Sequence, residues 1–318
     1  MSTLPVERAA LLNAGPSEQN AWLIDQLWSE GGVGVIGGEP KCCKSFLALD
    51  MAIAVASGAP CLGRFAVRVP GRVLLYAAED ALHVVRRRLL GISLARGIDF
   101  ETLDVQVITA PTLRLDLDAD QRRLKETVSA LAPKLLILDP FVRLHRIDEN
   151  VSGEVAPLLA YLRDLQRTHG LSVALVHHAK KGAGSARAGQ ALRGSSEFHA
   201  WGDSNLYLRR QDDEQLTLSV EQRAAPSFGP IHVALASGGD DALALGVTEK
   251  STAPLRQQTP SPETKITTAL ATATSPLPLA ELRELCGIRK ATLISCLSLL
   301  TAAGRVNKTA FGYVLAAT

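Results

Sequence analysis

No stretch of this chain is apolar for long enough to span a bilayer, and nothing near its start has the pattern of a secretory leader. The expectation is a cytoplasmic protein with no membrane partner. Charge of a single sign is also missing. The net charge is +2 over 318 residues, so any nucleic-acid binding has to come from local patches rather than from a global field. Cysteines are few. The five present lie mostly in apolar or helical patterns, which fits free thiols in a reducing compartment and not a disulfide framework. No period of 20–50 residues recurs, which excludes a solenoid. What the chain does have is 47% hydrophobic residues, enough for one large α/β domain and a smaller one.

The organising stretch is Val33-Gly34-Val35-Ile36-Gly37-Gly38, followed by Glu39-Pro40-Lys41-Cys42-Cys43-Lys44-Ser45-Phe46 and an apolar segment to about Ser57. A β-branched apolar run, a tight loop and a helix are the context of a phosphate-binding loop, in which backbone N–H groups and a helix N-terminus face an anion. Against G-x-x-x-x-G-K-[ST], Gly38, Lys44 and Ser45 match. Lys44 would reach the β- and γ-phosphates of ATP and the Ser45 hydroxyl would join the Mg²⁺ shell. Cys43 stands where the second glycine belongs. Its small side chain would cost roughly 1–2 kcal/mol of strain there, which does not forbid the loop. The competing reading is an ordinary strand–turn–helix with a surface lysine. Cys42 and Cys43 do not suit one metal ion, because adjacent cysteines rarely chelate and no second pair stands nearby.

Further along, residues 72–78 form a second expected strand with Glu79-Asp80 at its carboxyl end, where open α/β sheets bind ligands. A carboxylate there can polarise a water beside the γ-phosphate. The same pair can equally cap the basic helix expected over 83–94. A third strand is expected at 104–108 and a helix at 120–131. Lys134-Leu135-Leu136-Ile137-Leu138-Asp139 then gives an apolar strand ending in a carboxylate, the Walker B arrangement that holds Mg²⁺. A helix over 154–169 and a strand over 171–176 lead to His177-His178. A histidine at a strand tip can sense the γ-phosphate. The two cannot share a metal, since neighbours on a strand point to opposite faces.

Residues 179–193 are rich in Gly, Ala and Ser and carry Lys180, Lys181, Arg187 and Arg193 with no acid, as a loop contacting a nucleic-acid backbone would. A plain solvated loop is the alternative. Strands are expected at 205–209 and 215–221, with Arg223 the first choice for an arginine finger into a neighbouring subunit and Arg209 or Arg210 the reserve. Each could also be an ordinary surface arginine. Residues 1–237 make up the expected ATPase domain, 238–262 a linker, and 263–318 a small domain of three helices and a hairpin in winged-helix order. From Pro260 onward six basic residues face three acidic ones. Arg289 and Lys290 would enter a major groove, with Arg305 and Lys308 on flanking phosphates. Many such domains bind proteins instead.

Taken together, Trp22-Leu23-Ile24-Asp25, the loop through Lys44-Ser45, Ala78-Glu79-Asp80, Leu138-Asp139, His177-His178-Ala179-Lys180 and Arg193-Gly194-Ser195 resemble the RecA-like ATPases of the RepA type. These are plasmid replicative helicases with phage and mobile-element relatives. The resemblance spans about residues 22–235. It implies an α/β RecA-like core with a mostly parallel sheet and a hexameric ring with ATP between subunits. It also implies Glu79 as catalytic carboxylate, Asp139 on the metal and His178 as sensor. The function expected is an ATP-driven motor on single-stranded DNA in replication. The alternative is an ATP-dependent DNA-binding switch that loads a helicase or transposase.

Overall fold

The structure, a computed structural model, describes residues 4, 6–11, 22–178, 197–210, 215–237, 242–248, 262–273, 275–288, 290–309 and 311–316. The chain divides into two compact units, Met1–Glu249 and Lys250–Thr318. The first begins with the short hairpin β1 (Trp22–Ile24) and β2 (Trp28–Ser29), then β3 (Val33–Gly38), α1 (Lys44–Ser57), β4 (Val73–Ala77) and α2 (Leu82–Arg96). It continues through β5 (Val105–Val107), α3 (Asp118–Leu131), β6 (Leu135–Asp139), α4 (Ser152–His169) and β7 (Ser172–His178). The short α5 (Glu197–Trp201) precedes four strands, β8 (Ser204–Arg210), β9 (Leu216–Gln222), β10 (Phe228–Ser237) and β11 (Leu243–Val247).

Nine strands form one sheet in the order β11-β10-β9-β8-β3-β7-β6-β4-β5. From β8 to β5 every pairing is parallel, and β9, β10 and β11 are added antiparallel. The parallel strands are buried on both faces, which is why they are continuous apolar runs in the sequence. Alternate residues divide between two cores: Val73, Leu75, Leu135, Ile137, Ala174 and Val176 pack with α1 and α2. Leu74, Tyr76, Leu136, Leu138, Val173 and Leu175 pack with α3 and α4 on the other face. The result is a three-layer α/β/α sandwich. Its connections carry every parallel strand in one direction, so their carboxyl ends share one edge.

Local chemistry sets the approach of β3 to β8. A Cβ on Gly34 would lie 1.6 Å from the Ser204 carbonyl oxygen, so only glycine fits that register. Of the stretch 21–28, read from sequence as a short amphipathic element, residues 22–28 belong to the β1–β2 hairpin. Trp28 is fully buried and its Nε1 donates to the Gly32 carbonyl at 3.3 Å, so it anchors the core. Strands β10 and β11 were not legible. Gly229-Pro230 interrupts β10 with a register shift, and β11 lies inside the stretch read as a linker. Arg96 of α2 fastens β11 to the first core: it pairs with buried Asp50 of α1 at 2.7 Å and donates to the Leu245 carbonyl at 2.5 Å.

The second unit contains α6 (Pro262–Thr272), α7 (Leu279–Cys286), α8 (Lys290–Ala302) and a hairpin of β12 (Val306–Thr309) and β13 (Gly312–Leu315). Leu277 bridges Tyr313 as a further antiparallel contact. Ile266, Leu270, Leu282, Leu293, Leu297, Leu300 and Val306 form its own core. Among the described residues no helix is long and apolar enough to cross a membrane.

Candidate active site

The loop between β3 and α1 is held in a shape that most side chains resist. Cys43, the residue before the helix, has φ 63° and ψ 25°, and Lys41 also has φ 63°. Both lie in the left-handed region where a Cβ costs about 1–2 kcal/mol. The glycine expected at position 43 is thus missing at the place where its freedom counts. Gly38 is required for a different reason: a Cβ there would lie 2.4 Å from the Leu208 carbonyl oxygen and 2.6 Å from Cys42 Sγ.

Lys44 opens α1 and is 6% exposed. Its Nζ donates to the Glu39 carbonyl at 2.8 Å and lies 3.9 Å from Cys42 Sγ. Burial lowers its pKa below the usual lysine value, and Cys42, Asp139 and Glu79 oppose that shift. Asp139 ends β6 and bonds the Ser45 hydroxyl. Burial pushes its carboxyl up to about 6, with the charges of Asp80 and Glu79 adding to the rise while Ser45 and Lys44 work against it. Burial likewise raises the thiols of Cys42 and Cys43, so neither is an activated nucleophile.

A pocket of about 280 Å³ gathers these groups. Lys41, Cys42, Cys43, Lys44, Ser45 and Phe46 line one side, and Glu79, Arg88, Asp139 and His178 the other. The convergence follows from topology. Glu79 follows β4, Asp139 ends β6, His178 ends β7 and the loop follows β3, and all four strand ends lie on the same edge. His178 stands opposite Gly38 in the β3–β7 register.

Two arginines at this edge were not anticipated. Arg88 of α2 pairs with Asp80 and lies 5.5 Å over the Phe46 ring. Arg143, just beyond β6, donates to Glu79 Oε1 at 2.9 Å. The sequence showed a basic helix over 83–94 but not which way Arg88 faced, and no local pattern marked Arg143. Arg210 ends β8 at the same edge and donates to the Lys41 carbonyl at 2.8 Å.

Other expected site residues are elsewhere. Arg223 follows β9, which runs antiparallel to β8, so it returns to the opposite edge of the sheet. There it lies 3.2 Å from Asp203 Oδ1 and donates to the Ala200 carbonyl. Within this subunit it is not brought to the pocket. Lys180, Lys181, Arg187, Arg193 and Arg289 lie outside the described residues. Lys290 begins α8, Lys308 is exposed on β12, and Arg305 pairs with Glu263.

The donors present suit Mg²⁺ bound together with a nucleotide. Ser45 and Asp139 offer hard oxygens beside a buried ammonium, whereas among the described residues no group of three or more His, Cys, Asp or Glu could hold a metal unaided. The sheet order, the loop and the two strand-end carboxylates define a RecA-like P-loop ATPase fold. A family model described as AAA domain matches residues 2–184, more than half of the chain. The protein belongs to that family. Among solved structures, the crystal structure of the RadB recombinase aligns with TM-score 0.50 and 16% identity, covering 69% of this chain and 92% of that one. At that identity the likeness concerns the fold.

Proposed function

We propose that this protein is an ATP-driven DNA motor of the RepA type, hydrolysing ATP between subunits of a homo-oligomeric ring, hexameric by resemblance. The observation that carries the reading is the convergence of Lys44, Ser45, Glu79, Asp139 and His178 in one pocket at the carboxyl edge of the sheet. Lys44 balances charge on the β- and γ-phosphates. Ser45 and Asp139 would hold Mg²⁺, which when bound neutralises phosphate charge as a Lewis acid. Glu79 takes the proton of the attacking water as general base. His178, opposite Gly38 in the β3–β7 pairing, registers the γ-phosphate and passes its presence to residues 179–193, whose Lys180, Lys181 and Arg187 would touch single-stranded DNA. A recombinase with this fold makes DNA a natural substrate. Arg223 could act on a neighbour's nucleotide only after leaving Asp203, and Arg209 or Arg210 remains the reserve finger.

The second unit has the element order of a winged helix, with Arg289, Lys290, Arg305 and Lys308 as DNA contacts. One observation favours the loader reading for it. Leu285, Leu299 and Phe311 are 63%, 70% and 80% exposed, which suits a protein partner better than a phosphate backbone. The deciding experiment is ATP hydrolysis with and without single-stranded DNA, beside a native mass measurement. Turnover that DNA stimulates and Lys44→Ala abolishes supports the motor. Turnover near background with ATP-dependent assembly supports the loader, and a monomer indifferent to ATP overturns both.

A further inference from the structure

The turn that follows β6 carries an arginine that the proposed hydrolysis does not use, paired with the carboxylate that it does. Arg143 closes the 3-10 turn Phe141–Arg143, and its Nε donates to Glu79 Oε1 at 2.9 Å. Both side chains reach water, 62% and 44% exposed, so the contact belongs with the weak surface pairs. The backbone beneath it is firmly anchored. Phe141 and Leu144 are fully buried, and Arg143 N donates to the Pro140 carbonyl at 3.2 Å. His145 packs on Phe141 with ring centroids 4.6 Å apart, and its Nε2 lies 3.3 Å from buried Glu149. A loosely held guanidinium on a rigid turn can let go of a carboxylate without any movement of the fold. Arg146, three residues on, is also exposed, so the segment presents two cations to solvent.

A general base needs a carboxylate oxygen available to the water it activates. A guanidinium on Oε1 neutralises that oxygen and fixes the side chain where Arg143 stands. We propose that Arg143 is a positioning residue that holds Glu79 in reserve, and that the phosphodiester backbone of bound nucleic acid draws the guanidinium away and frees Glu79. The proposal rests on the reading of Glu79 as general base. Phosphate is a strong competitor because guanidinium binds it bidentately, against the single contact to Glu79. The modest strength of an exposed pair sets the size of the effect at about two- to fivefold in basal rate.

The test compares steady-state ATP hydrolysis by the full chain, Arg143→Ala and Arg143→Lys at low and high salt, with and without single-stranded DNA. Arg143→Ala should raise basal kcat about two- to fivefold with KM for ATP unchanged. Added salt, which screens the pair and lifts the wild-type basal rate, should no longer do so, and stimulation by DNA should shrink by the same factor. Arg143→Lys should keep the low basal rate and its rise with salt, since an ammonium can also hold Glu79, but should respond less to DNA because it lacks the bidentate fork. A basal kcat that falls or stays unchanged in Arg143→Ala overturns the proposal. Should the wild type itself prove unable to hydrolyse ATP, the motor reading fails separately. A thermal-unfolding double-mutant cycle on Glu79→Gln and Arg143→Ala then decides. Coupling that single-stranded DNA removes supports the clasp, and zero coupling, or coupling that DNA leaves intact, overturns it.

Discussion

At the amino edge of β3 and β8, Asp203 is saturated. Its carboxylate accepts from Val33 N at 3.1 Å, pairs with Arg163, and lies 3.2 Å from Arg223. At the carboxyl edge of the sheet, Lys44 at the start of α1 is buried and Asp139 at the end of β6 half-buried, both with few partners, and their pKa values are pushed toward neutrality. Both edges use the same kinds of side chain. At one end the charges satisfy each other and hold strands together; at the other they are left short of partners, as a site awaiting a triphosphate must leave them. Loss of a charge should therefore cost stability at the amino edge and activity at the carboxyl edge.

The largest effect belongs to Lys44. Lys44→Ala should lower ATP turnover by about 10²–10³-fold or more, the scale of losing one preorganised donor to developing charge. Its melting temperature without nucleotide should match or exceed that of the wild type, because the buried ammonium makes only a carbonyl bond and a weak sulfur contact. A fall of several degrees would break the contrast. Next comes Asp203→Ala, which strands two guanidinium groups and the Val33 N–H. About 2–4 kcal/mol should be lost, or roughly 5–10 °C in melting temperature for a unit of this size. The kcat of protein that remains folded should stay within about twofold of wild type. A catalytic defect as large as that of Lys44→Ala would mean that the amino edge takes part in the chemistry, for instance through Arg223 as a finger.

These two edges were unequally legible. Strands β3, β4, β6 and β7 stand out because double burial makes them unbroken apolar runs, and the rule that ligands gather at their carboxyl ends groups Lys44, Glu79, Asp139 and His178 from sequence alone. The place of Arg223 could not be read by that rule, because a strand's direction is not written in its composition. Leu216–Gln222 has the pattern of a strand either way, and its antiparallel pairing with β8 sends Arg223 to the far edge. Arg88 and Arg143 were illegible for another reason: their partners depend on how a helix and a turn are rotated, and no local period encodes that. The three helices and hairpin of the second unit were visible because each has its own periodicity and turn. The stretch of Gly, Asp and Ser around β11 hid a five-residue strand whose place depends on the distant Arg96.

A pH series gives a finer view of the carboxyl edge. The carboxyl of Asp139 titrates at about 6 in the folded protein, against 3.8 when unperturbed. The folded state thus holds that proton more tightly than the unfolded state. Ionisation of Asp139 disfavours folding above pH 6, and the penalty fades as pH falls from about 6 to 3.8. Without nucleotide, Asp139→Asn should be more stable than wild type at pH 7.5 by about 1–3 kcal/mol, with the gap closing toward pH 4. Thermal melts across that range check the sign. A variant less stable than wild type at pH 7.5 would mean that Asp139 is satisfied where it lies, like Asp203.

Cys43 should give the smallest effect and the most direct reading of strain in the loop. Its φ of 63° costs an L-residue about 1–2 kcal/mol, and glycine removes that cost. Glycine also loses more backbone freedom on folding, by roughly 0.5–1 kcal/mol, and forfeits the contact that Cys43 makes with the first core. The net gain for Cys43→Gly is then about 0.5 kcal/mol, or 1–2 °C. Cys43→Val should lose at least about 1 kcal/mol, since a β-branched side chain tolerates the left-handed region least. The order glycine, cysteine, valine in melting temperature is the expected result. Its inversion would show that the loop relaxes to an ordinary helical start when no phosphate is bound, and that the conformation at Cys43 is imposed by nucleotide rather than stored in the fold.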